Sequence, residues 1–163
     1  MSEFHTGENN AVRYALMAAG SDARPNGANL YWTLPNVSTS DAPITATQVT
    51  KKYYKTGGGT VSKSTGATWT FTVSGDLPQA KTDREAVYRL RKAVLAGERI
   101  WMERAFDEAA PTAEWEGGVV VITNATLPSP SDNATSYSFT ASGSGNLAGA
   151  HTATDDSPPA ATP

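Results

Sequence analysis

The sequence predicts a mainly β protein, a β-sandwich or partial barrel with one flanking α-helix. Three observations carry this. From Thr68 to Ser74 the chain alternates without a fault, with Trp69, Phe71 and Val73 on one side and Thr68, Thr70, Thr72 and Ser74 on the other. A period of two marks a strand with one buried and one polar face. Tyr137-Ser-Phe-Thr-Ala141 repeats the design. Between them lies one stretch of helical period, Thr82 to Gly97, with Ala86, Leu90, Ala93 and Val94 on one face and Val87 beside it.

The other elements follow in order. Residues 1–11 read as a loose arm, and Met1 to Asn10 is polar. Val12, Tyr14 and Leu16 alternate as a strand. Gly20 to Asn29 is rich in turn residues, with Pro25-Asn-Gly27 the sharpest signal. Leu30 to Leu34 reads as a strand that Pro35 closes, and Ile44 to Thr50 as a third, weaker one. Lys51 to Gly66 is the largest irregular stretch. It holds Lys51, Lys52, Tyr53, Tyr54 and Lys55, then Gly57, Gly58 and Gly59. Long loops inside domains are usually functional or disordered.

The helix reads from Thr82 as N-cap, with Glu85 three residues on completing a capping box and Gly97 as the stop. Glu85, Arg89 and Lys92 form its polar face. Arg99 to Phe106 is the next strand and Asp107 to Glu116 an acidic loop. Gly118 to Thr123 is a β-branched run that reads as buried. After Leu147 no large apolar residue follows. The expected organisation is one domain over residues 1–147 and a Pro/Ala/Thr-rich tail over 148–163.

Composition excludes several chemistries. The chain has 163 residues and no cysteine, which leaves no disulfide or thiolate zinc site. Its net charge of −3 is unlike that of a free duplex-binding domain. Residues 1–10 lack the apolar core of a signal peptide, and no apolar run approaches the ~18 residues that span a bilayer. A soluble protein with no membrane partner is expected.

The short motifs dissolve on inspection. Gly143-Ser-Gly145-Asn-Leu-Ala148 fits a dinucleotide fingerprint, but no helix follows to hold a pyrophosphate. Gly57 to Ser64 nearly spells a phosphate loop, yet Ser62 stands in place of its second glycine. His5 and His151 lie in arms with no carboxylate placed beside them. No cofactor, metal or catalytic residue is expected. The acids Glu103, Asp107, Glu108, Glu114 and Glu116 gather around one loop. They read as solvated surface, with a carboxylate hydrolase as the sharper alternative. The mixed lysines and tyrosines from Lys51 to Lys55 suit a subunit interface, where Tyr is favoured. A solvated loop or a single-strand binder would share that composition.

The order of strands, long loop, alternating strand, helix, strand, Gly-led apolar strand and final strand resembles the major tail tube proteins of tailed bacteriophages. The pieces that carry the resemblance are Ala67 to Asp76, Thr82 to Gly97, Gly117 to Asn124 and Ser136 to Gly143, within residues 65–147. The resemblance implies strands completed by neighbouring subunits, six copies per ring, and rings stacked into a conduit for DNA ejection. It implies a structural virion protein without enzymatic activity, found in the virion tail and in the host cytoplasm during assembly. It implies as partners further copies of the chain, a tape measure protein and tail terminator or tip proteins. DNA would pass without specific binding, through a lumen of negative potential. The segment Lys51 to Gly66 is then the inter-subunit loop. A different class of function, a carbohydrate-binding β-sandwich on a virion or cell surface, would use Trp32, Trp69, Trp101 and Trp115 as stacking platforms.

Overall fold

The computed structural model describes residues 11–21, 23–25, 27, 30–52, 60–105, 114–127 and 135–152. Within them the elements run β1 (Ala11–Leu16), β2 (Trp32–Thr33), β3 (Val37–Asp41), β4 (Ile44–Lys52), β5 (Thr60–Asp76), α1 (Glu85–Ala96), β6 (Ile100–Ala105), β7 (Glu114–Thr126) and β8 (Ser136–Thr152). The eight strands form one antiparallel sheet in the order β2-β1-β6-β7-β8-β5-β3, with β4 paired to β5 off that path. The sheet stays open but curls until β3 meets the far side. Leu34 N–H donates to Val12 O at 2.9 Å, and Arg104 Nη1 to Ser40 O at 3.0 Å. Of the two forms expected, this is the partial barrel.

The core lies between the inside of the curl and α1. It takes alternate residues from each strand: Val12 and Tyr14, Trp69, Phe71 and Val73, Ile100 and Met102, and Tyr137, Phe139 and Ala141. The helix adds Ala86, Val87, Leu90 and Ala93. The apolar stripe read from the sequence is therefore the buried one, and hydrophobic burial fixes the helix against the sheet. Gly97 ends α1 at φ 70°, left-handed, where only glycine is free of strain.

The start of the helix differs from the sequence reading. Residues 81–84 form a turn, in which Asp83 N–H donates to Ala80 O at 3.2 Å, and α1 begins at Glu85. Arg84 holds the cap position in helical geometry with no side-chain cap bond, so Thr82 caps nothing. The turn after Pro78 delays the helix past the box that the sequence spells.

Three other readings are corrected. The irregular stretch from Lys51 to Gly66 is strand wherever it is described: Lys51 and Lys52 end β4, and Thr60 to Gly66 open β5. The strand expected from Leu30 to Leu34 shrinks to Trp32–Thr33. The acidic loop is shorter than read, because Glu114 already begins β7. β8 also continues past Leu147 to Thr152, pairing Ala148 with Gly117 and His151 with Trp115. Val121, inside the run read as buried, is 61% exposed.

Candidate functional surfaces

Three surfaces remain once the core is assigned. The first is an arm. β4 pairs with the first half of β5 from Ile44–Trp69 to Lys52–Thr60. The second half of β5 pairs with β8, from Thr70–Ser142 to Asp76–Ser136. Beyond Trp69 the two partners part, and the sheet forks. The indole of Trp69 fills the angle, with its Nε1 donating to Gly145 O at 3.0 Å. Gly143 is required there, since a Cβ would overlap the indole. All of Ile44 to Lys51 lies exposed, apart from the core, including Ile44 and Val49. An isolated two-stranded hairpin is marginal in water. Lys51 and Lys52 sit at the end of β4 on this arm. Tyr53, Tyr54, Lys55, Gly57, Gly58 and Gly59 lie outside the described residues.

The second surface is the outside of the sheet, which divides in two. Over β1, β6 and the start of β7 it is covered. Glu103 is fully buried there. Its Oε1 accepts from Arg13 Nε at 2.6 Å and from Arg24 Nη2 at 3.1 Å, and its Oε2 from Trp101 Nε1 at 2.9 Å. Arg13 is itself stacked, 3.8 Å from the Trp115 ring centroid and 4.3 Å from that of Tyr31. A buried carboxylate with several donors is satisfied rather than reactive. Gly117 allows this packing, because a Cβ would strike Glu103. The strand phases hold a weak signal for this site, since Arg13 and Glu103 both fall opposite core residues. The β1–β6 register that pairs them is not in the sequence pattern.

Over β5, β8 and the rest of β7 the outside is open and uncharged. Thr70, Thr72 and Ser74 stand beside Ser142, Thr140 and Ser138, with Val121, Asn124 and Thr126 next to them. Asp41 and Asp76 mark its margin. Thr123 Oγ1 donates to Thr140 O at 3.1 Å, and Thr126 Oγ1 to Asn124 Oδ1 at 2.5 Å.

The third surface is the exposed side of α1 with the hollow beside it. Arg89 lies 4.3 Å from the Trp32 ring centroid and pairs with Glu85 at 2.9 Å. Leu95 is 89% exposed on the outer side of the helix.

The acids do not converge. Glu103 points to the outer face, whereas Glu116 points inward and pairs with Arg104 at 2.6 Å. Asp107 and Glu108 lie outside the described residues, as does His5. Among the described residues no group of three metal-ligating side chains occurs, and no helix is long and apolar enough to cross a membrane. Trp69, Trp101 and Trp115 are buried and offer no stacking platform. Burial raises the phenols of Tyr14 and Tyr137 above their ordinary value near 10.0. Tyr14 donates to Ala86 O at 2.6 Å and Tyr137 to Pro35 O, which ties sheet to helix and to the β2–β3 turn.

No family model and no curated protein matches the chain by sequence. Solved structures do. A chain from the tail of an empty gene transfer agent particle, refined helically with C6 symmetry, superposes with a TM-score of 0.65 over 90% of this chain and 98% of that one, at 15% identity. A chain of the native gene transfer agent virion gives 0.61 over 90% and 98%, at 14% identity. The SPP1 tail tube gives 0.59 over 91% and 81%, at 12% identity. The fold is that of tail tube proteins. Among the described residues the architecture is mainly β, with one helix and an open antiparallel sheet, which is consistent with that β-rich fold.

Proposed function

We propose that this chain is a structural subunit of a tail tube, with copies assembling into six-membered rings that stack into a conduit for DNA ejection. The observation that carries the reading is fold similarity spanning nine-tenths of the chain, with one neighbour drawn from a C6-symmetric tail. The arm supports it. Eight pairs of β4 and β5, from Thr45–Thr68 to Lys52–Thr60, stand outside the core, with Ile44 and Val49 exposed on β4, and open strand edges are templates for pairing with another chain. In this reading the arm and its tip, Lys51 to Gly59, contact an adjacent subunit. The chain then resides in the virion tail, after assembly in the host cytoplasm. Its partners are further copies, a tape measure protein and tail terminator or tip proteins. No catalysis is required of it.

The open hydroxyl face suits the conduit wall. An interface core is rich in aromatics and Arg, and an ordinary exterior is richly charged. This face is neither, and it has no base to hold phosphate. The wall is then neutral with acids at its margin, which are the source of the lumen's negative potential. Negative-stain microscopy of concentrated protein tests the reading. Rings or tubes with six-fold symmetry are expected, and a monomer at every concentration sinks it.

A further inference from the structure

Residues 1–10 and the helix side of the fold carry opposite charge. Ala11 pairs with Ala105, Ala105 with Trp115, and Trp115 with His151. Residues 1–10, 106–113 and 153–163 therefore adjoin neighbouring strands at one end of the sheet. Their charged residues are Glu3, Glu8, Asp107, Glu108, Asp155 and Asp156, with no Lys or Arg. The helical segment is the reverse. Between Lys81 and Arg99, the bases Lys81, Arg84, Arg89, Arg91, Lys92 and Arg99 outnumber Asp83, Glu85 and Glu98, in a chain of net charge −3.

A hollow of about 380 Å³ opens beside α1 at the other end of β1. Tyr14, Leu16, Trp32, Ala93 and Ala96 give it an apolar floor, and its charged rim has two bases, Arg89 and Lys92, against one acid, Glu98. Leu16 is 48% exposed in it. Arg89 has Glu85, while Lys92 has no ion-pair partner among the described residues. An aromatic side chain with an acid beside it complements such a site, and residues 1–10 contain one, Glu3-Phe4.

Resting on the tail tube reading, we infer that Phe4 of one copy seats in the hollow between α1 and β1 of a neighbouring copy, with Glu3 against Lys92. Chain direction argues for a neighbour. β1 runs from Ala11 to Leu16, so the described chain begins at the end of the strand far from its own hollow. Doubling back would retrace about 17 Å of strand. A copy stacked in the same orientation presents its hollow toward that end, and a repeated contact of this kind builds a filament.

The absence of cysteine makes the test clean. Phe4→Cys combined with Leu16→Cys, and separately with Ala96→Cys, is oxidised in assembled and in dilute protein. A ladder of covalent multimers from assembled protein is expected, and it should be lost in dilute monomer. Charge reversal is the second arm. Glu3→Lys or Lys92→Glu alone should shorten or abolish tubes while leaving the melting temperature unchanged, and the two together should restore them. Tubes with no ladder from either pair, or an internal disulfide without multimers, overturn the seat. Wild-type protein that never assembles overturns the tube reading first, and the seat with it.

Discussion

The indole nitrogen of Trp69 bonds the carbonyl oxygen of Gly145 across the point where β5 and β8 separate. One residue thereby belongs to the core, to the arm and to the rim of the fork. Trp69→Phe keeps a ring and loses the bond, at an expected cost of about 1–2 kcal/mol. Gly143→Ala drives a Cβ into the same indole and should cost more. Urea denaturation of both variants checks the order.

The helix offers a paired test. Leu90 is fully buried, and Leu90→Ala should cost about 2–5 kcal/mol. Thr82 lies before the helix and caps nothing, so Thr82→Ala should leave the melting temperature within error. A loss of about 1 kcal/mol at Thr82 would restore the capping box that the structure removes.

Glu103 holds two arginines, Arg13 from β1 and Arg24 from the chain between β1 and β2. Removing its charge leaves buried cations without their partner. Glu103→Gln should therefore destabilise by about 3 kcal/mol or more. Glu85→Gln, at the exposed pair with Arg89, should be nearly silent by the same denaturation assay.

The buried phenols set an alkaline limit. Tyr14 and Tyr137 have folded pKa values raised above their ordinary 10.0. Between the two values the unfolded chain loses protons that the folded chain retains. Stability is fully present below pH 10 and falls as pH rises above it. Tyr14→Phe should flatten this fall. A stability curve level to pH 12 in the wild type would contradict the shifts.

The hydroxyl face gives a functional test. Thr70→Lys with Ser142→Lys places two cations on a surface that has none. Tubes of this variant should gain salt-sensitive retention of duplex DNA, while wild-type tubes show none. A filter-binding titration at several salt concentrations measures it. Equal, negligible retention by both would remove this face from the conduit wall.

Much of the fold is legible because burial writes a period into the sequence. Val12 and Tyr14, Phe71 and Val73, and the α1 stripe are all read in their correct phase. β3 is not legible: Val-Ser-Thr-Ser-Asp has one large apolar residue and takes its strand geometry from β5. The outer part of the arm, Lys51–Lys52 with Thr60–Gly66, is missed for the same reason. A hairpin that touches no core has polar residues on both faces, and its glycines read as a loop. The Glu103 cluster stays hidden because a lone acid in a strand gives no hint that another strand and a crossing segment bring two arginines to it. Of the candidate interface, Lys51 and Lys52 were named as loop and are strand, while the hollow beside α1 is assembled from β1, β2 and α1 and has no linear signature.

The arm makes the subunit uneven in rigidity. The core strands open only with global unfolding, whereas β4 and the first half of β5 have little apolar burial to resist local opening. Backbone amides of Ile44–Lys52 and Thr60–Gly66 should thus exchange with solvent orders of magnitude faster than those of β6 in the free subunit. Once seated on a neighbour they should slow toward the core rate. Exchange in the arm becomes a clock for assembly, readable in solution without seeing a tube. For the tube proposed above it gives a growth rule: an incoming copy would be locked only after its arm had settled, so early contacts would be easily reversed and misplaced copies would leave before they were trapped.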